Sequence, residues 1–380
     1  MLFVVVNVAK HNHHNAKMTA AASMNLTNTD ECLICSLFTL STFFAFIFSA
    51  IVVVGVCGNI FVVSVILTDR KLLNSPINLF LLNLALADIG NLVSCCPDIA
   101  MFLYGTGWLL SPVLCPVLRF LEEYFLYASV LTQMSIGIER FMAICTPMRM
   151  QRFSRRTSAL MIVSVWVTAA MFASPYLMFH RVFVRKAIAH CVWSPTLPAG
   201  TRVIFKYAEC VVLYVLPLIL LTVLYSIMSR VLWGNSTQIV NESQQAIVLA
   251  LRRSVVKMLI ISMLLYFICY SPIQGIFLTQ IITKRDFQVS PAIRITLNAL
   301  SFSSSSANPI VYIVCCRHFR SKFITTLRLI CSIFPDSRRF SAASVEAADD
   351  ATLRTPTHSS FYASFTKSFR THLTRTATFV

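Results

Sequence analysis

"LFTLSTFFAFIFSAIVVVGVCGNIFVVSVIL", residues 37–67, contains no charged residue. A helix needs about 20 apolar residues to cross a hydrocarbon core, and this run exceeds that. The rest of the 380-residue chain has the same character. It is 57% hydrophobic and 12% charged, with 29 phenylalanines and only 9 glycines, about half the charge of an ordinary soluble protein. Six further apolar runs follow at 77–104, 113–145, 159–179, 203–232, 254–282 and 292–315. Each suits a helix, which satisfies its backbone hydrogen bonds without water. The 9–11-residue alternation of a membrane barrel is absent. The expected fold is therefore an all-α membrane protein, a seven-transmembrane helix bundle over 37–325, with a short amphipathic cytoplasmic helix after span seven. Residues 1–36 are read as an extracellular N-terminal segment and 326–380 as a cytoplasmic tail, largely disordered. The leading "MLFVVV" is too short for the core of a cleaved signal peptide.

The net charge of +17 suggests nucleic acid until its placement is considered. Lys and Arg collect after spans one, three, five and seven: Arg70 and Lys71; Arg149, Arg152, Arg155 and Arg156; Arg252, Arg253 and Lys257; then Arg317, Arg320, Lys322, Arg328, Arg338 and Arg339. The positive-inside rule makes those segments cytoplasmic and the N-terminus extracellular, in a multi-pass plasma-membrane protein with no nucleic acid partner. Arg181, Arg185, Lys186 and Arg202, between spans four and five, run against the rule. Asn25 heads a glycosylation sequon on the outer side, whereas Asn235 and Asn241 head sequons in an inner loop and should stay bare. Of the 13 cysteines, Cys115 and Cys191 both fall outside, in an oxidising compartment, so they can pair. Pairing of Cys32 with Cys35 stays open, and Cys315, Cys316 and Cys331 lie near basic residues as acylation candidates.

Ionisable residues inside spans are costly and point to function. Asp88, in "LNLALADIG", is flanked by apolar residues on both sides and needs polar partners. Ser129, Ser304, Ser305 and Asn308 are the candidates, forming a cage of oxygen ligands suited to an allosteric sodium ion. Pro175, Pro217, Pro272 and Pro309 fall inside spans, where each removes a backbone bond and kinks its helix. In "CPVLRFLEEYFLYASVLT", Arg119 and Glu123 share a helical face, with Glu122 about 100° round. Glu209 adds an acid early in span five, with Lys206 and Arg294 as candidate counter-charges. Three acids exceed what Arg119 neutralises, so a cationic ligand group is a further partner. Glu139 and Arg140 stand side by side at the inner end of span three.

In order along the chain, Gly58-Asn59, "LALAD" ending at Asp88, Trp108 before Cys115, "ERF" at 139–141, Trp166, Pro217 with Tyr225, "FICYSP" at 267–272, and Asn308-Pro309 with Tyr312 resemble the rhodopsin-like (class A) G-protein-coupled receptors. The resemblance covers roughly residues 40–325. It implies a Cys115–Cys191 disulfide and an activation switch built from Glu139, Arg140, Phe141, Tyr225, Tyr270, Pro272, Asn308, Pro309 and Tyr312. In the family the acid beside the arginine holds it at rest, and its release opens a cytoplasmic cavity for the G protein. Phe141 replaces the usual tyrosine and Tyr270 the usual tryptophan, and Arg252 stands where an acid would lock span six to Arg140.

The chain looks most like neuropeptide receptors of the neuromedin U, ghrelin, neurotensin and thyrotropin-releasing hormone group, with the invertebrate pyrokinin and capa receptors. The ligand is expected at Arg119, Glu122, Glu123, Lys206, Glu209, Gln274, Phe277 and Arg294, and in that resemblance Glu123 matches the pocket glutamate of the neuromedin and ghrelin branch. Phe277 stands about where the neuromedin and ghrelin branch has an arginine paired with the pocket glutamate. The expected function is reception of an extracellular peptide and signalling through a heterotrimeric G protein, with no enzymatic activity. A receptor kinase and arrestin are expected partners, and the C-terminal Thr378-Phe379-Val380 suits a PDZ protein. The alternative is a monoamine or other small cation read by Glu122. A transporter is disfavoured by the absence of an internal repeat.

Overall fold

In a computed structural model, residues 28–146, 155–185, 187–234, 243–283 and 290–333 are described. Seven long helical stretches run in alternating directions: Asn28–Thr68; Pro76–Ser94 continued by Cys96–Tyr104; Leu114–Cys145; Arg155–Ala173 continued by Pro175–Phe179; Ala199–Cys210 continued through Val211–Val215 into Leu216–Gly234; Ser243–Thr283; and Pro291–Cys315. These are spans one to seven. Five of them are long and apolar enough by composition alone to cross a bilayer. The two that fall short by themselves are informative. Span three carries Arg119, Glu122, Glu123, Glu139 and Arg140, and span seven carries the serine run Ser303–Ser306. Span three packs against spans two, four, five and six, so its polar residues face protein instead of lipid.

Local chemistry sets the helix ends. The Ser290 hydroxyl accepts from the Ile293 N–H at 3.3 Å, just before Pro291, an N-terminal cap followed by the proline that a first turn tolerates. Gly105, at φ 63°, closes Cys96–Tyr104 in the left-handed conformation that glycine adopts freely.

Each interior proline leaves a carbonyl without its usual donor four residues on. The Met171 carbonyl opposite Pro175 takes the Ser174 hydroxyl at 2.9 Å. That of Ser305, opposite Pro309, takes the Asn59 amide at 3.2 Å. That of Leu213, opposite Pro217, takes the Tyr266 hydroxyl from span six at 2.7 Å, beside a π-helical turn at Val211–Val215. Pro272 lies within one continuous helix. Pro97, which the sequence reading passed over, marks a further break, where Ser94 gives way to Cys96.

The helical bundle has one addition. The segment between spans four and five folds into an antiparallel hairpin, His180–Arg185 with Ile188–Trp193, placing Cys191 opposite Val182. A disulfide joins Cys191 to Cys115 at the start of span three, with Cα atoms 5.6 Å apart. The Trp108 N–H donates to the Ala189 carbonyl at 2.7 Å. A Cβ on Gly107 would come within 2.5 Å of that same oxygen, so the approach requires glycine. Arg181, one of the cations that runs against the charge rule, donates to the Leu177 and His180 carbonyls at 2.9 and 2.7 Å.

The core centres on Phe80, Leu84, Tyr127, Leu221, Met228, Val256 and Tyr312. The bundle unit runs through Phe319, and residues from Arg320 belong to a second unit. Helix Arg317–Ile333 spans that boundary and repeats Phe319, Phe323 and Leu327 at four-residue spacing among Arg320, Lys322 and Arg328, an amphipathic pattern. Asn25, Arg149, Arg152, Lys186, Asn235, Asn241, Arg338, Arg339 and the C-terminal Thr378-Phe379-Val380 lie outside the described residues, as do the side chains of Cys32, Cys35, Arg155 and Cys331.

Candidate functional site

The hairpin end of the bundle holds a charged cluster. Arg119 donates through Nη1 to Glu122 at 2.9 Å and through Nη2 to Asp98 at 2.6 Å. Sequence spacing allowed Arg119 either glutamate, and the structure selects Glu122. Asp98 was missed; its signal was an acid in the first turn of the helix restarting at Cys96-Pro97, where the helix dipole favours a negative charge.

On the other side, Lys206 donates to both carboxylate oxygens of Glu209, at 3.0 and 2.8 Å, and to the Tyr176 hydroxyl at 3.0 Å. Tyr176 in turn donates to Glu209. The Lys206 ammonium also lies 5.4 Å from the centres of the Tyr176 and Phe277 rings.

Glu123 faces Glu209, Lys206 and Tyr176. Its Oε2 is buried without a hydrogen-bond partner. Asp98 and Glu122 share Arg119, and Glu209 takes Lys206; Glu123 makes no ion pair among the described residues. A buried carboxylate oxygen without a partner is costly.

Around these groups, His180 stacks on Tyr176 at 5.2 Å and meets Trp193 edge-on at 5.5 Å. Burial, then the Arg119 and Lys206 charges, push the His180 imidazole down to about 3. It is therefore neutral at physiological pH and adds no third cation. Gln274 and Tyr270 are both buried. Arg294 stands 6.0 Å from the Phe102 ring and forms no ion pair with the acids.

Deeper in the bundle, Asp88 is fully buried and accepts from the Ser129 hydroxyl at 2.9 Å and the Asn308 amide at 2.8 Å. The Ser305 hydroxyl accepts from the Asn91 amide at 3.4 Å. The Ser304 hydroxyl instead donates to the Ser301 carbonyl at 2.7 Å.

At the opposite end, Arg140 Nη2 donates to Glu139 at 2.6 Å, with a second bond from Nε. Glu139 has no exposed side-chain surface. Phe141 is half-buried, Tyr225 and Tyr312 are buried, and Tyr312 meets Phe319 at 6.0 Å. Arg252 is exposed, and no acid occurs anywhere in Ser243–Thr283, so span six has nothing to lock Arg140.

Residues 58–312 match the rhodopsin family of seven-transmembrane receptors. The chain belongs to that family. As a receptor it is also similar to neuropeptide receptor 15 of Caenorhabditis elegans, 34% identical over 298 residues, or 71% of this chain and 85% of the relative. Galanin receptor type 2 of Rattus norvegicus is 30% identical over 307 residues, covering 79% and 78%. Tachykinin-like peptides receptor 86C of Drosophila melanogaster is 26% identical over 306 residues, covering 76% and 59%. Membership makes the protein a multi-pass membrane receptor and not an enzyme. It accounts for two of the seven spans being too polar to stand out by composition.

Proposed function

We propose that this receptor sits in the plasma membrane with its N-terminus outside, binds an extracellular neuropeptide at the hairpin end, and signals through a heterotrimeric G protein at the Glu139–Arg140 end. The observation that carries the reading is Glu123, whose buried Oε2 lacks a partner beside a cluster in which Arg119 and Lys206 are already engaged. A guanidinium on the ligand supplies two parallel hydrogen bonds to one carboxylate. The names of the relatives support a peptide ligand, and the charge pattern supports the orientation. The monoamine reading relied on Glu122, which Arg119 holds at 2.9 Å, and is the weaker one. Receptor kinase, arrestin and PDZ partners belong to the same proposal and rest on tail composition alone.

The test is to express the receptor and screen it against amidated neuropeptides with calcium and cyclic-nucleotide readouts. A concentration-dependent response to one peptide family is expected. A response only to small amines would overturn the peptide reading.

A sodium ion at Asp88 is part of this proposal. The Ser129 hydroxyl that donates to that carboxylate and the nearby Ser305 hydroxyl are hard oxygens, which fit such a cation. Asp88→Asn is expected to leave the receptor folded and to abolish any sodium-specific change in ligand affinity. If sodium and a bulky organic cation act alike on the wild type, the site is not a sodium site.

A further inference from the structure

Span five at its π-helical turn and span six on the approach to Pro272 are joined by hydrogen bonds. The Tyr266 hydroxyl of span six donates to the Leu213 carbonyl of span five at 2.7 Å. Leu213 is fully buried and Tyr266 is buried, so water is a poor substitute for either partner. The carbonyl is available because Pro217, four residues on, has no N–H to offer. A second link lies one turn further along: the Tyr214 and Ser271 hydroxyls are 2.6 Å apart, and Ser271 also bonds the Phe267 carbonyl.

We propose that Tyr266 is a positioning residue whose bond to Leu213 latches spans five and six in the closed receptor. The two links differ in how they respond to motion about Pro272. Ser271 is next to the proline and scarcely moves when the helix bends there. Tyr266 lies six residues away, about 9 Å along the helix, on the side leading to the Glu139–Arg140 end. A bend of about 10° displaces it by about 1.5 Å, enough to stretch a bond of 2.7 Å past the ~3.5 Å at which it ceases to count. The Tyr214–Ser271 link acts as the pivot and the Tyr266–Leu213 link as the catch. The catch is closed in the same arrangement in which Arg140 is paired with Glu139.

Neither ligand nor G protein is needed for the test, so its outcome is independent of the peptide reading. Spin labels at Leu160→Cys and Leu251→Cys, both exposed positions on spans four and six, report the separation of those spans in purified full-length receptor in which every native cysteine but the paired Cys115 and Cys191 is replaced by serine. Tyr266→Phe is expected to raise the long-distance fraction roughly fivefold, the equivalent of one buried hydrogen bond. Pro217→Ala gives the Leu213 carbonyl an intrahelical donor, so it should raise that fraction by itself. Adding Tyr266→Phe to Pro217→Ala should then change little. That cancellation separates a latch from general loosening, and Pro217→Ala keeps the idea testable if Tyr266→Phe fails to fold. Unchanged distances in both single variants, or an undiminished Tyr266→Phe effect in the double variant, would overturn the proposal.

Discussion

Glu123→Gln is expected to lower the potency of the activating peptide by at least about tenfold at unchanged surface expression. Losing one partner of a desolvated charged pair typically costs ~2–5 kcal/mol, or ~30-fold and more in affinity. Glutamine keeps the size of the side chain and one acceptor oxygen while removing the charge, so the lower end of that range is the safer expectation. Its neighbour should behave differently. Glu122 is held by Arg119, which also holds Asp98 at 2.6 Å, so Glu122→Gln leaves the guanidinium an acid and costs less. Concentration–response curves at matched cell-surface levels measure both. If both variants respond at wild-type peptide concentrations, neither acid reads the ligand and both are structural.

Removing the disulfide should have the largest effect on stability. Cys115 and Cys191 are 76 residues apart in sequence, and closing so long a loop is worth ~4 kcal/mol by the chain-entropy argument. The native state loses little other structure at once, because the hairpin keeps the Trp108–Ala189 hydrogen bond. Cys115→Ser in detergent-solubilised receptor is therefore expected to unfold at a markedly lower temperature than wild type. Ligand affinity should fall too, because the hairpin carries His180, which stacks on Tyr176 beside Lys206 and Glu209. An unchanged unfolding midpoint, or free thiols at both positions in mass mapping of the unreduced protein, would contradict this.

The fold was legible because burying a backbone in lipid leaves few solutions. Long, mostly apolar runs specify helices, and seven of them with Lys and Arg after alternate spans specify a bundle. The positions of Asp88, the Glu139–Arg140 pair and the prolines were equally readable, since each breaks an otherwise apolar pattern.

What the sequence did not show depends on distances between helices. Arg119 lies three residues from Glu122 and four from Glu123, and both spacings suit a helical pair. Only the approach of Asp98 from span two, together with Lys206, Glu209 and Tyr176 around Glu123, decides between them. Asp98 itself sits outside the charged run of span three and carries no periodic signal. The hairpin was hidden because "HRVFVRKAIAHCVW" reads as a basic loop, and its two-residue alternation is brief. The π-helical turn cannot be seen in "CVVLYVLP" at all; it becomes intelligible once Tyr266 is found on the Leu213 carbonyl.

The most direct measurement crosses the receptor change with a ligand change. The peptide identified by screening is made with its arginine or with neutral citrulline in that position, and each form is tested on wild type and Glu123→Gln. If Glu123 reads the ligand's cation, citrulline should cost the wild type about as much as Glu123→Gln costs the native peptide, ~10-fold or more, and should add little in the variant. Independent losses that multiply in the combined case would contradict the account, placing the cation elsewhere and leaving Glu123 without a ligand role.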